Sequence, residues 1–330
     1  MRSFPWKQML LSAGVAVVVV RRIPFGGLAA AFRNLGMGSL LLALACFLVW
    51  FCLRAYKWHR LMLFTGKGDL RRSLRTLLGG FSLGLITPGR LGELGRCVFV
   101  RQDERAQVAL LTLYDRLLDS WALLTSIGAS LFLLAPWPTA ILGMAVWLAL
   151  LPVVARFPAL VSHLGGLAQK SRHFRGHFPG AAGGMPLVPT AHFAFLAVSA
   201  MGAELASFFF LLRAFCSTGF TTALATYPYI VLAGDLPVSF SGVGVREGAA
   251  ALLLSPYAVP SSAAVDASLL WFVFAVLLPA ALGALWLVAD RVRSRRRKSD
   301  GLAPVSDPAW APVPLPDPAT TIQRNITECA

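Results

Sequence analysis

Long apolar runs alternate along this chain with short segments rich in Lys and Arg. A helix that crosses about 30 Å of hydrocarbon needs roughly 20 consecutive, mostly apolar residues. Six runs meet or approach that length: Met9–Val20, Met37–Leu53, Ala106–Ala135, Thr139–Ala155, Pro189–Leu212 and Ala264–Ala289. Met9–Val20 is short and needs Pro5 and Trp6 at the interface, and Ala106–Ala135 carries Asp115, Arg116 and Asp119 near its start. Two more apolar stretches are interrupted. Thr76–Val100 holds Thr87-Pro88-Gly89-Arg90-Leu91-Gly92-Glu93 in its middle, and Phe220–Tyr257 holds Asp235-Leu236-Pro237 followed by Gly242, Gly244, Arg246 and Glu247. Pro and Gly break helices, and the backbone groups they free cannot face lipid. Each interrupted stretch therefore reads as a re-entrant hairpin or broken helix pair. The predicted fold is all-α: a polytopic transmembrane bundle of about six spans plus two such hairpins.

Composition supports a membrane solvent. The 330 residues are 57% hydrophobic and 14% charged, with a mean hydropathy of +0.68, whereas soluble domains carry about 25% charged residues. The net charge of +15 would suit nucleic acid if the basic groups lined one polar face. They flank the apolar runs instead, as at a cytoplasmic membrane border, so no nucleic-acid partner is expected. Five cysteines without CxxC spacing imply neither a disulfide framework nor a zinc site.

Loop charge sets the expected orientation. Arg54–Arg75, the Lys170, Arg172 and Arg175 group, and Arg291–Lys298 are placed on the cytoplasmic side of an inner membrane, with both termini inside. Arg21, Arg22 and Arg33 then fall outside, against the rule. Arg21-Arg22 directly follows the first run with no small-x-small site, so that run is expected to be retained rather than cleaved. Residues 1–290 form the expected membrane domain and 291–330 a basic, Pro-rich, disordered tail. With this topology the two interrupted stretches enter from opposite sides, one per half, as in transporters built from an inverted repeat.

Ionisable residues inside a membrane cost about 2.5–3.5 kcal/mol each on insertion scales and need partners or a function. Arg90, Glu93 and Arg96 surround the first break. A half-helix starting after Pro88 would aim backbone N–H groups at an anion, and Arg90 would add a bidentate contact to a phosphate; an internal Arg90–Glu93 pair would equally satisfy both charges. Ser239, Arg246 and Glu247 repeat this composition at the second break, though not the spacing. Asp115 and Asp119 share one helical face and would anchor Arg90 or Arg96, relay protons, or hold a cationic headgroup. Arg54–Arg60 mixes basic and aromatic residues and reads as an interfacial anchor on the anionic leaflet. Glu204 needs a partner such as Arg213 or a wet cavity. His163, His173 and His177 sit in a basic loop and are not read as a metal site; no cofactor motif is present.

Four blocks, LRAYKW (Leu53–Trp58), ITPGRLGELGR (Ile86–Arg96), YDRLLDS (Tyr114–Ser120) and LPVSFSGVGVREGA (Leu236–Ala249), resemble the lysylphosphatidylglycerol synthase transmembrane, or flippase-like, family. The membrane part of the multiple peptide resistance factor is its best-known region. Where that family often has Ser-Pro-Gly-Gly, this chain has Ser239-Phe240-Ser241-Gly242. The resemblance implies translocation or handling of a membrane lipid (an anionic phospholipid, a lipid-phosphate or a hopanoid-type lipid) and not aminoacylation, which belongs to a separate soluble domain in the resistance factor. A membrane-embedded transferase on a lipid-phosphate carrier and a non-transporting partner of a lipid-modifying enzyme are the alternatives. As a binding set the sequence offers Arg90, Glu93, Arg96, Asp115, Asp119, Ser239, Arg246 and Glu247; as hairpin formers, Pro88, Gly89, Gly92, Pro237, Gly242 and Gly244.

Overall fold

A computed structural model of the chain describes residues 36–66, 68–87, 90–134, 190–236, 239 and 241–299, with isolated positions between 138 and 156. Every element among them is helical. The expected spans Met9–Val20 and Thr139–Ala155, the three loop histidines, the tail beyond Ser299, and Pro88, Gly89 and Pro237 lie outside or almost wholly outside the described residues.

Helix α1 spans Met37–Leu63, ten residues beyond the apolar run that predicted it. Its buried positions Ala43, Phe47, Trp50, Arg54, Lys57, Trp58, Leu61 and Met62 recur at three- and four-residue spacing, one stripe of a helix surface. Leu41, Leu42, Leu48 and Val49 on the remaining surface are exposed, as suits contact with lipid. Helix α4, Thr190–Phe215, is the central post: 61% of its most apolar window is buried, against 22% for α1 and 33% for Ser261–Asp290. These three helices are long and apolar enough to cross a membrane. Helix α3, Arg105–Leu134, has the length but carries charges in its first half.

α1 and α4 pack antiparallel. Gly36 N–H donates to the Ala214 carbonyl (3.2 Å) at one end, Ser207 Oγ donates to the Ala43 carbonyl (2.9 Å) nearby, and the Phe64 and Phe193 rings meet at 6.2 Å at the other end. This pairing fixes the direction of the two interrupted stretches. Helix α2, Leu70–Leu85, starts beside the C-terminal end of α1, and helix α5, Phe220–Asp235, starts beside the C-terminal end of α4. The two therefore enter the bundle from opposite ends.

Both interrupted stretches are helix–turn–helix hairpins. In the first, α2 ends at Leu85 and is followed by a 3₁₀ segment, Leu91–Phe99, that lies back on it. A Cβ at Gly80 would come within 2.7 Å of Arg96 Cγ, and one at Gly84 within 2.8 Å of Glu93 Cγ, so glycine lets the charged arm lie flat on α2. In the second, α5 ends at Asp235 and α6, Val245–Leu254, packs back against it. Gly242 has φ +77, and a Cβ there would sit 2.4 Å from the Gly234 carbonyl, a conformation and an approach that favour glycine. The Glu247 carboxylate accepts from the Gly244 N–H at 2.6 Å and caps α6. The hairpin tips touch: Ser241 N–H donates to the Thr87 carbonyl at 3.3 Å.

A last long helix comprises α7 (Ser261–Phe272), a π turn (Val273–Leu277) and α8 (Leu278–Ser299). α2 lies along α8, where Ser82 Oγ donates to the Ala280 carbonyl (2.8 Å), as α5 lies along α3. Long helix, hairpin, long helix occurs twice, with the two copies inverted. An Arg75–Asp290 ion pair (3.2 Å) brings the basic start of α2 and the basic end of α8 to the same end of the bundle.

Candidate functional site

The first hairpin, α1 and α3 build one network of buried charge. Glu93, 1% exposed, is its hub. Its carboxylate lies 2.5 Å from Arg90, 3.0 Å from Arg116, 3.4 Å from Arg54 and 3.6 Å from Arg96. Asp115 accepts from Arg96 at 2.8 Å and pairs with Lys57 at 2.9 Å. Asp119 pairs with Arg116 (3.1 Å), Arg54 (3.2 Å) and Lys57. Five cations thus face three carboxylates. The guanidiniums also stack on rings: Arg96 lies 4.4 Å from the Trp58 ring centre, and Arg54 lies 5.3 Å from both Trp50 and Phe81.

Two expectations are corrected here. The sequence pattern puts Arg54 and Lys57 at the membrane surface as anchors. Instead α1 continues past its apolar run and turns both inward, 7% and 0% exposed, because they fall on the same stripe as Ala43, Phe47 and Trp50. Only the outer positions keep an anchor's character, with Arg60 stacked at 5.9 Å on an exposed Tyr56. The half-helix expected after Pro88 is a 3₁₀ segment, and its early N–H groups are spoken for. Gly92 N–H donates to Thr87 Oγ1 (2.6 Å), and Glu93 N–H to the carbonyl of Arg90, which holds φ 58. Any anion at this tip meets guanidiniums rather than a helix N-terminus.

Beside the network lies a cavity of about 290 Å³. Arg54, Arg90, Arg116 and Asp119 face it from one side, and Glu204 of α4 and Asp235 at the end of α5 also line it. Leu91, Leu94, Leu113, Leu123, Met201 and Val231 supply apolar wall. Leu91, Leu94 and Leu113 are also 56%, 39% and 46% exposed, so the cavity reaches the lipid-facing surface between the 3₁₀ segment and α3. The space accepts something with a charged end and an apolar end.

The model of the lysylphosphatidylglycerol synthase TM region matches residues 6–283. The chain belongs to that family. Comparison with curated proteins and with solved structures gave no match. Membership makes this an integral membrane protein linked to lipid handling. The matched region contains all four sequence blocks, the whole charge network and both hairpins.

Within this family region the predicted site residues divide. Arg90, Glu93, Arg96, Asp115 and Asp119 meet in the network, and of these Arg90 and Asp119 line the cavity. Arg246 and Glu247 are elsewhere. They pair at 3.2 Å, with the Arg246 guanidinium 4.7 Å from the Trp271 ring and 5.0 Å from Phe272. Ser239 sits at the second tip with its hydroxyl buried and without a hydrogen bond among the described residues. Glu204 meets the cavity, while Arg213 is exposed near the end of α4.

The hairpins also reveal a spacing that composition hid. Gly84, Gly92 and Arg96 match Gly234, Gly242 and Arg246, with the second glycine eight positions and the arginine twelve positions after the first glycine in both. Gly92 lies against the Leu83 carbonyl as Gly242 lies against that of Gly234. Arg96 stacks on Trp58 as Arg246 stacks on Trp271. The counterpart of Arg246 is Arg96, not Arg90. Both are sealed, ring-stacked arginines that hold a hairpin together.

Proposed function

We propose that this protein translocates a phosphate-bearing membrane lipid, with the phosphate held between Arg54, Arg90 and Arg116 and an acyl chain leaving past Leu91, Leu94 and Leu113. The convergence of three guanidiniums, Arg54, Arg90 and Arg116, on a cavity with an apolar wall carries the reading. A monoanionic phosphodiester binds such a set through charge-assisted hydrogen bonds, the strong kind available to planar guanidiniums. The apolar wall favours a lipid over a free phosphate. Glu93, Asp115 and Asp119 position the arginines; Arg96 and the Arg246–Glu247 pair brace the hairpins. Entry of the hairpins from opposite ends, with tips in contact, supports movement by rocking one half against the other.

The test is a headgroup-accessibility assay. Vesicles of phosphatidylethanolamine and phosphatidylglycerol are reconstituted with the protein and a fluorescent phosphatidylglycerol. Loss of one charge-assisted contact is worth about 1.5–3 kcal/mol, so Arg90→Ala is expected to slow translocation roughly ten- to a hundredfold. A wild-type rate from Arg90→Ala removes the phosphate site. A new covalent lipid formed by purified protein from a lipid-linked donor would instead favour a transferase.

A further inference from the structure

The charge count of the cavity leads one step past the lipid reading, on which this inference rests. Five cations (Arg54, Lys57, Arg90, Arg96, Arg116) face the carboxylates Glu93, Asp115 and Asp119. Glu204 and Asp235 line the same space, with no cation in ion-pair distance of either among the described residues. With all five acids ionised the empty site is neutral. A bound phosphodiester then leaves one uncompensated negative charge in a partly desolvated space, where an unbalanced charge is costly. Neutralising a carboxylate by protonation removes that cost.

Glu204 is the acid placed to take the proton. It sits midway along the most enclosed helix, whereas Asp235 is exposed at a helix end. The groups that face Glu204 are Arg54 of α1, Arg90 of the first tip, and Asp235 and Tyr227 of α5; Arg116 and Asp119 of α3 share its cavity. Both facing arginines are already engaged by Glu93, and Arg54 also by Asp119. A phosphate drawing on them further weakens their hold on the Glu204 charge. Tyr227 is wholly buried, and its hydroxyl has no hydrogen bond of standard geometry among the described residues.

We propose that Glu204 is the proton-binding partner of the anion site: it takes up one proton from solution when a phosphodiester lipid binds and releases that proton when the lipid leaves. Lipid anion and proton then cross together as a neutral pair, and a proton gradient biases the direction of movement. By linkage the effect is reciprocal, so acid tightens lipid binding by up to about tenfold per pH unit for one proton taken up.

The experiment is titration calorimetry on the full chain in detergent, with dihexanoyl phosphatidylglycerol as the probe. It is run at several pH values and in two buffers of different ionisation enthalpy, which together count protons. About one proton taken up per lipid bound is expected, disappearing in Glu204→Gln, which still binds lipid with an affinity independent of pH. Lipid binding by the wild type without proton uptake at any pH from about 5 to 8 overturns the coupling and leaves the lipid reading standing. Absence of lipid binding by the wild type overturns both. Uptake that persists in Glu204→Gln but vanishes in Asp235→Asn overturns the assignment to Glu204. The wild-type buffer comparison decides the coupling even if Glu204→Gln does not fold.

Discussion

Replacing Glu93 by Gln is the sharpest test of the network, because it changes charge while nearly conserving shape. Four guanidiniums stand 2.5 to 3.6 Å from this one carboxylate, which is 1% exposed. Without it, five cations face only Asp115 and Asp119. Removing one partner of a buried ion pair costs about 3–5 kcal/mol, and each like pair brought to 4 Å adds up to about 4 kcal/mol at an effective dielectric of 20. The arginines will relax, so the lower range is the working figure. At about 2–4 °C per kcal/mol for a domain of 150–250 residues, the melting temperature should fall on the order of 6–20 °C. Intrinsic tryptophan fluorescence of the detergent-solubilised protein reports it, since Trp50, Trp58, Trp121 and Trp271 are buried. Adding Arg90→Gln to Glu93→Gln removes one surplus cation and should recover part of the loss, a coupling of at least about 1 kcal/mol. A Glu93→Gln protein melting within about 2 °C of wild type would refute the claim that these charges hold the first hairpin in place.

Three further outcomes are expected. Gly242→Ala should destabilise the second hairpin by about 1–3 kcal/mol, the range for a non-glycine residue held at positive φ, seen as a lower melting temperature; Gly128→Ala, with no atom within 4 Å of the new Cβ, serves as the neutral control. Lys57→Met should lower the melting temperature as a broken buried pair does, by about 3–5 kcal/mol, and Lys57→Arg should not restore it, because Lys57 is wholly enclosed between two carboxylates. In a background without the native cysteines, Thr87→Cys with Ser241→Cys should form a disulfide under mild oxidation and block translocation reversibly with reductant, since the tips share a backbone hydrogen bond; translocation unaffected by complete cross-linking would mean that the tips need not part.

The hairpins are legible in the sequence because their signal is local. Proline and glycine inside an apolar stretch leave few alternatives to a turn, and both stretches are two helical arms, Leu70–Leu85 with Leu91–Phe99 and Phe220–Asp235 with Val245–Leu254. Asp115 holding Arg96 is legible too, since i and i+4 carboxylates on one face ask for a nearby cation. Arg54 and Lys57 are not, for a physical reason: basic residues with Tyr56 and Trp58 after an apolar run suit a membrane border just as well. The signal that separates the readings is phase. Ala43, Phe47, Trp50, Arg54 and Lys57 continue one three–four stripe, which a residue-by-residue inventory of charge misses. Phase likewise hides the repeat, because Arg246 resembles Arg90 in its neighbours but Arg96 in its distance from the paired glycines.

That correspondence sets the arginine cluster around Glu93 apart as a feature of the first half. At the same offset, Arg90 and Glu93 correspond to Phe240 and Val243. Arg246 of the second hairpin is self-contained with Glu247 and Trp271. The scaffold can therefore be close to two-fold while the anion site is not. Under the proposed rocking motion, the charged tip would stay with a bound phosphate while the second tip moves past it. Glu204 of the central post lines the cavity with Arg90 of the first tip and Asp235 of the second hairpin, the position from which the proposed proton would offset the charge of a bound lipid.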